Sequence, residues 1–318
     1  MYRQSKRCEM ITTVTLNAAI DKTYYVSQFG PGHVHRVSRQ IAEPGGKGIN
    51  VAKVISLLGG KVAATGFIAG SSGSFIENSL MDRGIQTSFV RVPGESRVCL
   101  NIIDESNGSS TELLEQGPSV DQVAVKDIKE TVHRLALQSS IVVLSGSLPP
   151  GAPAQLYADL IDIVKSTHAR VFLDTSGAAL NSGLQAQPYF VKPNEHELAA
   201  FLGRDQLAPT EWAEAAHKLA AEGIAQVCVT LGSRGSIAII DGEGYHITPP
   251  TIQAVNTVGC GDSFVAGMAY AEERGDSPAE KLRIASAVAA ANAMSDKAGH
   301  FDYALFQDYV KQVQVAAL

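Results

Sequence analysis

Asn256-Thr257-Val258-Gly259-Cys260-Gly261-Asp262-Ser263-Phe264 is a glycine-broken turn that runs straight into a helix. Phe264, Val265, Met268 and Ala269 recur at helical spacing, which predicts a helix over 262–273. Glycines let backbone N–H groups come close to a ligand, and a helix N-terminus adds unpaired donors and the positive end of a dipole. The combination suits a phosphate-like anion. Asp262 stands in the mouth of that turn, where a carboxylate is ordinarily a helix cap. The stretch alone leaves two readings open, a cap or an acid–base group held against an anion.

The whole chain bounds the choice. Its 318 residues suffice for a large core in one or two domains, and 45% apolar with 18% charged residues is an ordinary α/β composition. The net charge of −6 argues against nucleic acid or an anionic membrane surface as the main partner, while leaving room for a small anion at a local cluster of cations. Cys8, Cys99, Cys228 and Cys260 show no metal-ligand spacing and read as free thiols of a cytoplasmic protein. Cys260, between two glycines, is the one that reads as open to reaction. No stretch is long and apolar enough to span a membrane. Residues 1–10 are expected to be a disordered extension, with a start at Met10 as the alternative.

Residues 11–16 are β-branched and read as a strand ending at Asn17-Ala18-Ala19-Ile20-Asp21. Ligands gather at the carboxyl ends of strands in open α/β sheets, so Asp21 is either a sugar-hydroxyl ligand or a turn aspartate. Residues 24–29 and 34–41 alternate like strands. Pro44-Gly45-Gly46-Lys47-Gly48-Ile49-Asn50 then feeds a helix over 49–58, a second glycine turn at a helix start, with Lys47 and Asn50 where a ligand would sit. After a strand at 62–67 and a helix at 74–83, three strands at 89–92, 97–103 and 111–114 break the α/β rhythm. Together with 23–44 they are expected to form a small lid sheet spanning 23–44 and 88–114, set on a single domain over 11–318. Arg97 on that sheet is either a phosphate ligand or a solvated side chain.

From 120 onward strands and helices alternate, which implies a parallel sheet covered on both faces. The strand ends carry Ser145-Gly146-Ser147-Leu148-Pro149-Pro150-Gly151, Asp174-Thr175-Ser176 and Lys192-Pro193-Asn194-Glu195-His196-Glu197. Asn194 and Glu197 share one face at a helix start, either as a cap or to orient a metal–phosphate group through water. Neither Gly46-Lys47 nor Gly60-Lys61 is followed by Ser or Thr, which excludes a P-loop, and the dinucleotide fingerprint is missing after the first strand.

Five motifs in order, Gly45–Ala52, Asn256–Ser263 and the three strand-end runs between them, resemble the ribokinase-like carbohydrate kinases of the PfkB family, within it the 1-phosphofructokinase and tagatose-6-phosphate kinase branch. The resemblance covers about residues 11–294. It implies an α/β fold, a ribokinase-like three-layer αβα sandwich with a mainly parallel central sheet plus a small β-sheet lid. It implies ATP and Mg2+, a phosphosugar as the small-molecule partner, and a homodimer through the lid. Asp262 would be the general base, with Gly259, Cys260 and Gly261 offering N–H groups to the γ-phosphoryl. Asp21, Gly45, Gly46, Asn50 and Ser145 would hold the sugar, and Lys47 and Arg97 the phosphate already on it. Lys192, Asn194, Thr230, Gly232, Gly235 and Asn256 would line the ATP site, and Glu197 would order Mg2+ through water. Two positions depart from the pattern: Ala18 replaces the usual proline and Cys260 the usual alanine. Thr111-Glu112-Leu113-Leu114-Glu115 resembles the tagatose side of the branch. The competing expectations are a kinase of an unphosphorylated sugar or nucleoside, and a non-catalytic sugar-phosphate-binding regulator.

Overall fold

Met10–Thr15 is an inner strand of a large sheet in the computed structural model, which describes residues 10–318. It pairs in parallel with Lys61–Ile68 on one side and Ile141–Ser145 on the other. Parallel pairing continues through Arg170–Asp174, Phe190–Val191 and Gln226–Thr230. Ser236–Ile240, Glu243–Thr248 and Gln314–Ala317 then add an antiparallel edge. The inner strands are buried on both faces and mostly apolar, with Thr12, Thr13 and Gln226 among the exceptions. Helices Lys47–Leu57, Cys260–Arg274, Pro278–Ala293 and Tyr303–Gln312 pack on one face, and Gln122–Ala136, Leu156–Lys165 and Trp212–Ala221 on the other. The three-layer αβα expectation therefore holds.

A second, four-stranded sheet orders Val37–Gly45, Ala19–Val26, Arg97–Asp104 and Ser110–Leu114. Its boundaries differ from the sequence reading. Ala19–Val26 begins right after the turn that ends the first strand, because Ala19 and Ile20 are buried beneath it. Asp21 thus lies on a lid strand and not in a strand-end loop. Val90–Arg91, expected in the lid, instead extends the main sheet beside Lys61–Ile68, where the Val92 N–H donates to the Ile68 carbonyl at 2.9 Å and its side chain enters the core. Met10, assigned to the extension, is the first residue of a strand. The expected extension over 1–9 and Cys8 lie outside the described residues. The C-terminal strand Gln314–Ala317 was not expected. Among the described residues no helix is long and apolar enough to cross a membrane.

The four-stranded sheet is fastened to the turn after Pro278–Ala293 by two ion pairs from Val37–Gly45, Arg39 to Asp296 and Glu43 to Lys297, each at 3.1 Å. The helix carrying Asp262 is set by contact with Pro278–Ala293, the alanine-rich helix expected beside it. Gly267 is the point of closest approach, since a Cβ there would lie 2.6 Å from the Ala285 Cα. In an isolated helix Gly267→Ala would stabilise by about 1 kcal/mol. Here the clash should reverse the sign and cost about 1–3 kcal/mol, read as a lower urea midpoint; an unchanged or raised midpoint would refute this packing.

Candidate active site

Gly259 sets the entry of the helix Cys260–Arg274. Its φ of 81° is left-handed, and a Cβ would lie 3.0 Å from the Gly299 nitrogen and 3.1 Å from the Ala298 Cβ, so both backbone and space call for glycine. A Cβ on Gly261 would lie 3.3 Å from the Lys192 Nζ. First-turn N–H groups lack intrahelical acceptors and remain available to a ligand, although the Cys260 N–H has a long contact of 3.3 Å with the Thr257 carbonyl. Asp262 is not a cap: Gly259 occupies that position and the helix start has no side-chain cap bond. The Asp262 carboxylate is 7% exposed and accepts from the Asn50 Nδ2 at 2.9 Å.

A second carboxylate lies beneath it. Asp174, at the end of its strand, takes Lys47 on Oδ2 at 3.2 Å and Lys192 on Oδ1 at 3.4 Å. Burial alone would raise the Asp174 carboxyl, but the two lysines hold it below the ordinary carboxylate value. Asp174 in turn raises Lys47 above an ordinary lysine, against the opposing effect of burial. Asp262 goes the other way. Burial, with Asp174 nearby adding to it, pushes its carboxyl up to about 6, although Lys47, Asn50 and Lys192 favour the charged form. Two carboxyls side by side are thus driven apart, one kept ionised and the other able to accept a proton near neutral pH.

The helix start divides two cavities. One, of about 310 Å3, is walled by Asp21, Lys47, Asn50, Arg97 and Asp262. The other, of about 640 Å3, is walled by Thr230, Gly232, Gly235, Cys260 and Gly261. Asp21 is brought over the first cavity by the lid strand. Burial pushes its carboxyl up, while Lys53, Arg97 and the Gly46 N–H pull it back. A side chain on Gly45 would overlap the Asp21 carboxylate, so Gly45 serves by leaving room. Arg97 is braced by donating from Nε to the Asn17 carbonyl at 3.2 Å and from Nη1 to the Glu115 carbonyl at 3.3 Å.

Several expected residues sit differently. Ser145, expected in the substrate set, is fully buried at the sheet end with its hydroxyl unpaired and walls neither cavity. Asn256 walls the smaller cavity and not the larger one, because its Oδ1 accepts the Val258 N–H at 3.0 Å in a tight turn. Lys192 and Asn194 lie off the wall of the larger cavity: Lys192 turns to Asp174, and Asn194 caps the helix Glu195–Phe201. Glu197 completes that capping box, accepting the Asn194 N–H at 2.9 Å. Burial raises the Cys260 thiol, which works against the reactive thiolate expected there. Asp174 and Lys53 were missed as site residues. The signal for Asp174 was its position at a strand's carboxyl end; Lys53 lies on the helix face opposite Val51, Val54 and Ile55, which periodicity assigns to solvent, although it is buried.

Among the described residues no group of three or more His, Cys, Asp or Glu could hold a metal. The raised Asp262 carboxyl also has a stability cost. Its protonated form favours folding, and that contribution is lost as pH rises through about 6. Asp262→Asn should therefore stabilise the fold at pH 8, by on the order of 3 kcal/mol, with the gain fading toward pH 4. Denaturant unfolding at both pH values checks this, and equal stability at pH 8 would contradict it.

A model of the pfkB family carbohydrate kinases matches residues 13–301. The chain is 35% identical over 309 residues to a tagatose-6-phosphate kinase of Staphylococcus epidermidis, covering 96% of this chain and 99% of that protein. It is 33% identical over 308 residues to a 1-phosphofructokinase of Vibrio cholerae, covering 97% of each. The structure of phosphofructokinase-2 from Escherichia coli in complex with potassium superposes with a TM-score of 0.90 at 28% identity, over 95% of this chain and 98% of that one. With a family match running almost end to end and the motifs of that match gathered around one helix start, the chain belongs to the pfkB family of carbohydrate kinases.

Proposed function

We propose that this chain transfers the γ-phosphoryl group of ATP to a hydroxyl of a ketohexose phosphate, fructose 1-phosphate or tagatose 6-phosphate, giving the bisphosphate. The observation that carries the reading is the helix start between two cavities, with the Asp262 carboxylate walling one and Cys260 and Gly261 walling the other. Similarity of about a third to both a tagatose-6-phosphate kinase and a 1-phosphofructokinase supports this substrate class.

Phosphoryl transfer asks the protein for in-line placement and charge compensation more than for covalent chemistry. Asp21 and Asn50 hold the sugar hydroxyls in the smaller cavity. Asp262 takes the proton of the attacking hydroxyl, for which a carboxyl pushed up to about 6 is well placed. The first-turn N–H groups at Gly259, Cys260 and Gly261 meet the charge that develops on the transferring group. Arg97 pairs with the phosphate already on the sugar. Lys47, engaged with Asp174 beside Asp262, is assigned to the transferring phosphoryl and not to the substrate's own phosphate. The nucleotide occupies the larger cavity against Thr230, Gly232 and Gly235, with Lys192 and Asn194 near its phosphate end. Mg2+ bound to ATP would neutralise phosphate charge, with Glu197 the side chain to orient its waters. The lid closes over the sugar to exclude water, and the exposed Leu113 and Leu114 on it are the apolar surface for a homodimer. Cys99, Cys228 and Cys260 are free thiols, in keeping with work in the reducing cytoplasm.

ADP release with ATP and Mg2+ should be fastest with one phosphorylated ketose in a panel of fructose 1-phosphate, tagatose 6-phosphate, fructose 6-phosphate, fructose and ribose. Turnover of free sugars alone would overturn the phosphate-site reading, and silence across the panel would favour a binding protein. Asp262→Asn should lower kcat by about 10²–10⁴-fold, and the wild-type rate should rise with pH through about 6. A variant as fast as wild type would remove Asp262 as the base. Arg97→Ala should raise KM for the phosphosugar far more than for ATP; equal effects on both would sink its role.

A further inference from the structure

Lys53 is a lysine with nowhere to go. It lies on the helix Lys47–Leu57, opposite the apolar stripe of Val51, Val54 and Ile55, yet is only 4% exposed. Its ammonium donates to the Pro44 carbonyl and to the Asn50 Oδ1, each at 3.1 Å. Burial in this place lowers it to about 8, against the opposing pull of Asp21, Glu43 and Asp262, with Arg83 adding to the lowering. A charge held this far from water, with a carbonyl and an amide oxygen as its acceptors and no carboxylate hydrogen-bonded to it among the described residues, is costly and points to a task.

The task follows from which atoms can donate. A charged lysine has three donors and no acceptor, so the Asn50 atom facing it must be the amide oxygen. The amide nitrogen is then forced to the other side, where it meets the Asp262 Oδ2 at 2.9 Å. Without Lys53 the Asn50 amide is free to turn over, which would set its oxygen against the carboxylate. The neighbouring turn keeps the three in line. A Cβ on Gly299 would lie 2.8 Å from the Lys53 Cε and 3.0 Å from the Asn50 Cα. That turn is tied to the helix start by Asn292, whose Oδ1 accepts the Gly299 N–H at 2.8 Å and whose Nδ2 donates to the Val258 carbonyl at 3.0 Å.

We propose that Lys53 is a positioning residue for phosphoryl transfer: it fixes the rotamer of Asn50, which holds Oδ2 of Asp262 and leaves Oδ1 to receive the sugar proton. This rests on the reading of Asp262 as the base. The groups facing Lys53 are Asp21, on the lid strand, and Glu43, on the strand before its helix, together with Arg83, Asp262, and His300 from the turn after Pro278–Ala293. Loss of its charge removes a cation from this group, so the Asp262 carboxyl rises.

The test uses Lys53→Met, Lys53→Gln and Lys53→Arg in the full chain, with thermal unfolding confirming that each is folded. Lys53→Met should lower kcat by about 10²-fold and move the acid limb of the pH–rate profile up by about one pH unit. KM for Mg-ATP should change less than about twofold, and Lys53→Arg should restore both rate and limb. Lys53→Gln, which keeps a donor but no charge, should recover rate without restoring the limb. Adding Lys53→Met to Asn50→Ala should cost little more than Asn50→Ala alone, because the lysine works through the amide. An unmoved limb with a rate within twofold of wild type, or fully additive losses, would overturn the proposal. The Asp262 carboxyl is also followed by 13C NMR, its signal identified by its absence in Asp262→Asn. If Asp262→Asn proves as active as wild type, the base reading fails by itself, and a carboxyl titration unmoved in Lys53→Met still decides against Lys53.

Discussion

An ionised carboxylate shut away from water has to be stabilised by whatever surrounds it, and here that requirement falls on Asp262. Its helix start, the lysines at 47, 53 and 192 and the Asn50 amide come from widely separated parts of the chain and meet within one small volume. Asp174 makes the demand harder by adding a second negative charge, yet it also draws Lys47 and Lys192 into place. The balance leaves Asp174 charged and Asp262 poised. A protein interior with an effective dielectric well below that of water gives such pairings their strength and makes each unpaired member expensive. The three-layer fold can be regarded as the scaffold on which this set of charges is mutually satisfied.

Division of labour at the helix start follows from the same geometry. A side chain at 259 is excluded by the Gly299 backbone and Ala298, and one at 261 would crowd the Lys192 ammonium, so at these two positions the backbone itself is presented to the cavities. On the smaller cavity the side chains of Asp262, Asn50 and Asp21 take over. Donors that do not have to reorganise when charge develops are the most effective form of electrostatic catalysis. The thiol of Cys260 is turned to Asn292, whose Nδ2 donates to it.

Much of this was legible in the chain. Two glycine turns feeding two helices, and strand-end loops carrying Asp174 and Lys192, marked residues that the fold gathers around one helix start. What the chain did not reveal was sorting over distance. Residues 89–92 alternate like a lid strand, and only the presence of Lys61–Ile68 beside them decides that they extend the main sheet. Ser145 sits in a motif of the right kind but faces the interior. Lys53 was hidden because helical spacing places it opposite Val51, Val54, Ile55 and Leu58, where a lysine reads as solvated, and its burial has meaning only once Asn50, Pro44 and Asp262 are seen around it.

The strand Ala19–Val26 leaves the main sheet through a turn of three residues, Leu16, Asn17 and Ala18, and carries Asp21 on its third position. Side chains alternate across a strand, so the parity of that short connection decides which face Asp21 occupies. A single residue inserted between Thr15 and Ala19 would turn the carboxylate outward while leaving the lid sheet able to form. The hairpin between Val26 and Val37 has no such arithmetic to keep. Length variation among descendants of this chain should therefore collect at the far tip of the lid and be purged from its root. The root, though it touches no phosphate, is the least negotiable length in the lid.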